Sequence, residues 1–227
     1  VRHRTLEVAR RLALAYPEAT TALVHSSPFQ LIVATILSAQ TTDESVNAVT
    51  PRLFARYPDA RALADADPAE VERIIQPTGF FRNKTRSIIG CARALVERFD
   101  GEVPPRMEDL VTIPGVGRKT ANVVLGVAWG IPGLAVDTHV TRLTWRLGLT
   151  RHTDPVKIEA EVTRNLPPVE WTNFGLRLIL HGRQVCAAKK PNCPACLLRD
   201  ICPSAPLFGF VPPEDEGTAI GDAPGVD

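Results

Sequence analysis

The sequence predicts an all-α protein, on three observations. Apolar residues recur at helical spacing in successive segments bounded by capping residues, proline or glycine. No pair of alternating segments reads as a β-hairpin, and no internal repeat is present. Between two helical stretches, Pro114 is followed by Gly115 and Gly117, a pairing that stops one helix and lets the backbone turn with positive φ before the next begins.

Taken in order, Thr5–Tyr16 reads as a helix with Thr5 as N-cap and Pro17 as terminator. Phe29–Ala39 is almost wholly apolar, and its length argues for a buried helix despite its β-branched residues. Asp43 or Thr42 can cap the next helix, Glu44–Tyr57. Pro68 opens a short helix through Ile75. Gly79–Lys84 forms a turn, and Thr85–Phe99 follows with Ile88, Ile89, Ala92, Leu95 and Val96 on its apolar face. Met107–Val111 and Thr120–Trp129 flank the glycine turn, and Val136–Leu147, Pro155–Asn165 and Glu170–Arg183 complete the set.

Hydrophobic residues make up 44% of the 227 residues and charged residues 22%, ordinary for a globular protein with a real core. With no run of eighteen apolar residues and no hydrophobic signal segment after Val1-Arg-His-Arg, the expectation is a cytoplasmic monomer with no membrane role. The formal net charge is only +1, yet the segment after Phe210 holds five acidic residues and no basic one, so residues 1–210 carry +6. That acidic, Pro- and Gly-containing tail, residues 211–227, is expected to be disordered. Five lysines stand among twenty-one arginines, and lysine alone of the two can supply a neutral amine.

The stretch Leu110–Asn122, LVTIPGVGRKTAN, turns a hairpin whose second helix presents free N–H groups, an anion site. It is not a nucleotide-phosphate loop, which needs glycine directly before the lysine; here Arg118 precedes Lys119. It resembles the helix-hairpin-helix of base-excision DNA glycosylases, specifically the endonuclease III family, over residues 5 to 210. The resemblance implies two helical domains with the active site in the cleft between them. Residues 22–133 would form one, and residues 1–21 with 134–210 the other. It implies double-stranded DNA with a damaged pyrimidine or abasic site as partner, a phosphate-gripping turn at Gly115, Gly117 and Arg118, and Gln40 filling the gap left by an extruded base. Phe80, by its own chemistry as readily a core residue, takes the place of the family's apolar wedge. His139 is a phosphate contact or a helix-surface histidine.

Cys186, Cys193, Cys196 and Cys202 are separated by six, two and five residues. Such a cluster suits metal better than disulfides in a chain of this kind, and zinc would accept four thiolates. The spacing matches the one with which the endonuclease III family holds a 4Fe–4S cluster, so the resemblance implies that cofactor, acting as a staple for a segment too short to have its own core. The enclosed loop carries Lys189 and Lys190, with Arg183 just before it, a set of phosphate contacts. Cys91 reads as a buried small hydrophobe.

Asp137, eighteen residues beyond Lys119, is both a good N-cap for the following helix and, by resemblance, the catalytic carboxylate. Lys119 would be the nucleophile of a glycosylase that also nicks the strand. A nucleophilic lysine must be neutral; the start of a helix and an adjacent Arg118 both disfavour an ammonium ion there. Two other readings differ in class. A monofunctional adenine glycosylase lacks the lysine and has a glutamate where this chain has Thr35, and a helix-hairpin-helix binding module would use no nucleophile at all.

Overall fold

The computed structural model describes residues 1–209, and the tail expected to be disordered, residues 211–227, lies outside them. Among the described residues there are helices and turns and no strand. The order is α1 (Arg2–Ala15), α2 (Pro28–Leu37), α3 (Asp43–Arg56), α4 (Ala60–Ala64), α5 (Pro68–Ile75), α6 (Phe81–Phe99), α7 (Met107–Leu110), α8 (Arg118–Trp129), α9 (Thr138–Arg146), α10 (Pro155–Arg164) and α11 (Trp171–Gln184). No helix among them is long and apolar enough to cross a membrane.

Capping chemistry sets most of the starts. Ser27, Thr42, Asp67, Asp137 and Asp154 each accept a hydrogen bond from a first-turn N–H of α2, α3, α5, α9 and α10. Thr42 rather than Asp43 caps α3, which releases the Asp43 carboxylate for another partner. Thr5 is not a cap. Its side chain is fully buried and its hydroxyl donates to the Val1 carbonyl (3.1 Å), so α1 begins a turn earlier, at Arg2. The five-residue α4 is too short to show a period; its one sequence signal is Asp59, which caps it by accepting from the Ala62 N–H (2.8 Å).

Helix α6 also begins earlier than its apolar face suggests. Gly79 (φ 68°) and Phe80 (φ 47°) reverse the chain in two residues, so Phe81–Lys84 is helix rather than turn. Lys84 is consequently 5% exposed, and its Nζ donates to the Thr78 carbonyl at 2.7 Å. Burial lowers its pKa.

Two hydrophobic clusters organise the chain. One runs from Leu23 to Leu125 and gathers α2–α8; Leu31, Ile32, Leu53, Ile75, Ile88 and Leu95 are fully enclosed there. The other joins α1 to residues 134–198, with Leu12, Leu134 and Phe174 enclosed. Each such side chain stabilises the fold by roughly 1.5–3 kcal/mol relative to exposure.

Close helix contact ties the two together. A Cβ on Gly126 of α8 would lie 2.5 Å from the Thr172 Cγ2 of α11, so α8 approaches α11 where it has no side chain. Thr172 Oγ1 donates to the Gly133 carbonyl (3.1 Å), and buried Asn122 donates through Nδ2 to the Leu134 carbonyl (3.1 Å). The segment leading from α8 to Asp137 is therefore held on both sides.

Candidate active site and cysteine cavity

The turn before α8 works differently from the sequence expectation. Only Gly115 has positive φ (78°), and a Cβ there would stand 2.9 Å from the Ser87 Cβ of α6. Gly117 is extended (φ −89°, ψ 175°) and is the N-cap of α8. It lacks a side chain for another reason: nothing lies within 4 Å of where one would go, so the backbone is open to close approach from outside. No side chain caps α8, and its first N–H groups remain available to an anion.

Lys119 is exposed in that first turn and lines a cleft between the two hydrophobic clusters. Thr35, Ser38, Asp43, Asn122, Asp137 and Arg183 share the lining of this open cleft. Its outer part adds Gln40 and His139, again with Lys119 and Asp137. The structure thus brings Gln40, Lys119, Asp137, His139 and Arg183 to one place. The lining does not include Phe80, Gly115, Gly117, Arg118, Lys189 or Lys190.

Asp137 has one oxygen committed: Oδ1 accepts from the Val140 N–H at 2.8 Å, capping α9. The second oxygen is left for the cleft. Two ion pairs border the site. Arg183 Nη1 reaches Asp43 Oδ2 at 2.8 Å and so joins α11 to α3 across the cleft. Arg118 grips Glu159 through both Nε (2.7 Å) and Nη2 (2.8 Å), which answers its charge within the fold. Neither pair uses Lys119.

His139 is half-buried beside Gly182 of α11, and its Nδ1 lies 3.1 Å from Arg142 Nη2. Burial lowers its pKa, against the opposing influence of Asp137. Gln40 (φ 54°) and Phe80 (φ 47°) are both exposed and both left-handed, a conformation that costs a non-glycine residue on the order of 1–2 kcal/mol. Phe80, 64% exposed, is no core residue. Strain of this sort persists where a side chain must be presented rather than packed.

The four C-terminal cysteines line a single small apolar cavity with Leu143, His181, Val185 and Phe208. None is in a disulfide. Among the described residues, no three His, Cys, Asp or Glu side chains meet closely enough for one metal ion. Burial pushes the Cys196 thiol up to about 11 and raises Cys193 and Cys202, so thiolates here call for a cationic group among them.

Arginines missed by sequence reasoning hold the loop. Arg142 donates to the Gly182 (3.1 Å) and Cys186 (3.0 Å) carbonyls, and Arg146 to those of Ala187 (2.8 Å) and Ala188 (2.6 Å). Their partners lie forty residues away, beyond any local signal. Lys189 and Lys190 are exposed at the tip of the segment so held.

The family model for HhH-GPD superfamily base excision DNA repair proteins matches residues 33–168. The chain is 57% identical over 205 residues to Endonuclease III of Synechocystis, covering 90% of this chain and 94% of that protein. Endonuclease III of Bacillus subtilis is 44% identical over 188 residues, 82% of this chain and 86% of its own. Among solved structures, a non-covalent Endonuclease III–DNA complex superposes with a TM-score of 0.87 at 39% identity, covering 91% of this chain and 97% of that one. A trapped Endonuclease III–DNA covalent intermediate gives 0.88 at the same identity, covering 91% and 98%.

Proposed function

The chain belongs to the endonuclease III family of helix-hairpin-helix base-excision DNA repair proteins, and from that premise we propose how its cleft performs the family reaction. The protein is a bifunctional DNA glycosylase and abasic-site lyase that removes oxidised pyrimidines. One observation carries the assignment of residues: Lys119, from the first turn of α8, and Asp137, from the head of α9, line the same cleft.

A stacked nucleotide shields its sugar carbon, so the damaged nucleotide is first extruded into the cleft. Gln40, on its strained backbone at the rim, occupies the vacated place, and exposed Phe80 enters the duplex as a wedge. The Lys119 amine attacks C1′ as the bond to the base breaks and the base takes the electron pair. Asp137 stabilises the positive charge that develops on the sugar and receives the proton from the amine. The nitrogen lone pair then breaks the C1′–O4′ bond, O4′ leaves as a hydroxyl with the proton that Asp137 took up, and the opened sugar is a protonated imine of Lys119, an electron sink. Loss of a C2′ proton expels the 3′ phosphate by β-elimination.

DNA phosphates are held by the open N–H groups at Gly117–Lys119, by His139 and by Lys189 and Lys190. Arg118 and Arg183, already paired with Glu159 and Asp43, exchange part of those contacts for phosphate when DNA docks. The partner is double-stranded DNA with a damaged pyrimidine or an abasic site, bound by one copy of the chain. The two hydrophobic clusters support a division into residues 22–133 and residues 1–21 with 134–210. Cys186, Cys193, Cys196 and Cys202 hold a 4Fe–4S cluster, supported by the family spacing and by thiols arrayed round a cavity. When bound, it pins the loop that carries Lys189 and Lys190. Its bacterial relatives support work in the cytoplasm, and at the nucleoid if this chain too is bacterial.

Thr35 bears on the adenine-glycosylase alternative. Its hydroxyl donates to the Leu31 carbonyl (2.7 Å) within α2, so the cleft has a short, satisfied side chain where that branch places a glutamate. Borohydride reduction in the presence of abasic-site DNA tests the whole proposal. Wild type becomes covalently attached, and Lys119→Gln binds the same DNA without attachment. Full trapping by Lys119→Gln would remove that amine from the mechanism.

A further inference from the structure

Behind the cysteine cavity lies a pair of residues that the repair reaction does not use. His181, on α11, is 1% exposed and lines the cavity. Its Nε2 lies 3.3 Å from the Cys196 sulfur, and its Nδ1 lies 3.0 Å from the Tyr16 hydroxyl. Tyr16 follows the last turn of α1, and its own carbonyl accepts from Arg177 Nε (3.4 Å), so its backbone is tied to α11. The two rings meet edge to face at 6.0 Å.

The proton inventory of this chain is restrictive. A cysteine that holds a metal is a thiolate, which can only accept. The hydrogen facing Cys196 must therefore sit on His181 Nε2. In a neutral imidazole that leaves Nδ1 as acceptor, and the Tyr16 O–H supplies its hydrogen. Tyr16 selects the tautomer by being able to donate where a phenylalanine could not. The Leu198 N–H also points at the Cys196 sulfur (3.4 Å), and Arg146 Nη1 at the Cys186 sulfur (3.3 Å).

We propose that Tyr16 and His181 act as positioning residues for the iron–sulfur centre, donating one N–H hydrogen bond to the Cys196 thiolate and thereby raising the centre's reduction potential. The inference rests on the iron–sulfur reading given above. Hydrogen bonds to ligating sulfur stabilise the more negative, reduced member of a couple, so each donor removed lowers the potential. The arrangement also explains why α1, the start of the chain, packs with the C-terminal half: its last residues complete the surroundings of the cysteines.

The test is a redox titration of the purified, DNA-free protein followed by its visible absorption. Tyr16→Phe, which removes one hydroxyl, shifts the potential to a more negative value. His181→Leu shifts it further, and His181→Gln, whose amide N–H still reaches the sulfur, returns it towards wild type. Iron-loaded Tyr16→Phe with an unmoved potential overturns this inference alone. Zinc in place of iron in the wild-type protein overturns the cluster reading and this inference with it. Should His181→Leu fold without taking up iron, Tyr16→Phe still decides.

Discussion

Asp137 has two functions that substitutions can separate. Its Oδ1 accepts the Val140 N–H at 2.8 Å, so it caps α9, while its charge serves the cleft. Asparagine caps a helix about as well as aspartate, through the same carbonyl geometry, so Asp137→Asn keeps the fold to within a few tenths of a kcal/mol. Asp137→Ala loses the cap, which costs about 1 kcal/mol. In a protein of this size that lowers Tm by about 2–4 °C. Both variants lack the carboxylate that stabilises charge on the sugar, and removing one such preorganised electrostatic group slows a reaction about 10²–10³-fold.

The expected pattern is therefore two slow enzymes, only one of which is less stable. Thermal melts and single-turnover base release from DNA with one oxidised pyrimidine measure the two effects independently. On DNA with a preformed abasic site, where no base has to leave, the deficit of both variants shrinks. An Asp137→Asn protein that releases base at the wild-type rate would refute the catalytic assignment. One that melts as low as Asp137→Ala would refute the capping argument.

Gly126→Ala gains about 1 kcal/mol of helix propensity, but its Cβ would sit 2.5 and 2.6 Å from Thr172 Cγ2 and Oγ1 and 3.1 Å from Thr172 Cβ. Rotating Thr172 breaks its bond to Gly133, so an overpacking penalty of about 1–3 kcal/mol prevails. The variant melts below wild type and regains stability with Thr172→Ala; melting above wild type refutes the close contact. Lys84→Met leaves the Thr78 carbonyl without its buried donor, for a loss of about 1–3 kcal/mol by denaturant titration. Because burial lowers the Lys84 pKa, the unfolded chain holds that proton more tightly, and wild-type stability relative to Lys84→Met grows as pH rises towards 10.5. A gap that narrows with rising pH contradicts this. Burial pushes the Cys91 thiol up to about 12, so it resists alkylation at pH 8 in the folded protein and reacts on unfolding, as mass spectrometry can show.

Local chemistry was readable from sequence wherever it involved neighbours along the chain. Pro68–Ile75 was predicted with the ends it has, because Pro at the first helical position fixes its start. Gly79 and Phe80 show the limit: two residues in left-handed conformation complete a turn that composition suggests is longer, and so Lys84, read as the end of that turn, lies within α6 as a buried donor. The Gly115–Gly117 pair looked symmetrical, yet the two serve close packing and open approach respectively, a difference that only the neighbours at each position decide. The long-range partners had no local signal at all. Arg142, Arg146 and the Tyr16–His181 pair act across 40 to 165 residues of chain.

That division also explains the placing of the chemistry. Lys119 is held by a helix of the first hydrophobic cluster and Asp137 by a helix of the second, so neither core alone fixes their relation. Asn122, one turn beyond Lys119, fixes it instead: it is 3% exposed and donates to the Leu134 carbonyl three residues before Asp137. A Cβ on Gly133 would lie 2.4 Å from the same amide's oxygen, so the strand of chain between the helices can lie this close only without a side chain there. Orientation to within about an ångström governs whether an amine and a carboxylate act together on one sugar carbon. The precision of the site therefore resides in a buried amide and a glycine that line the cleft without supplying a reacting group.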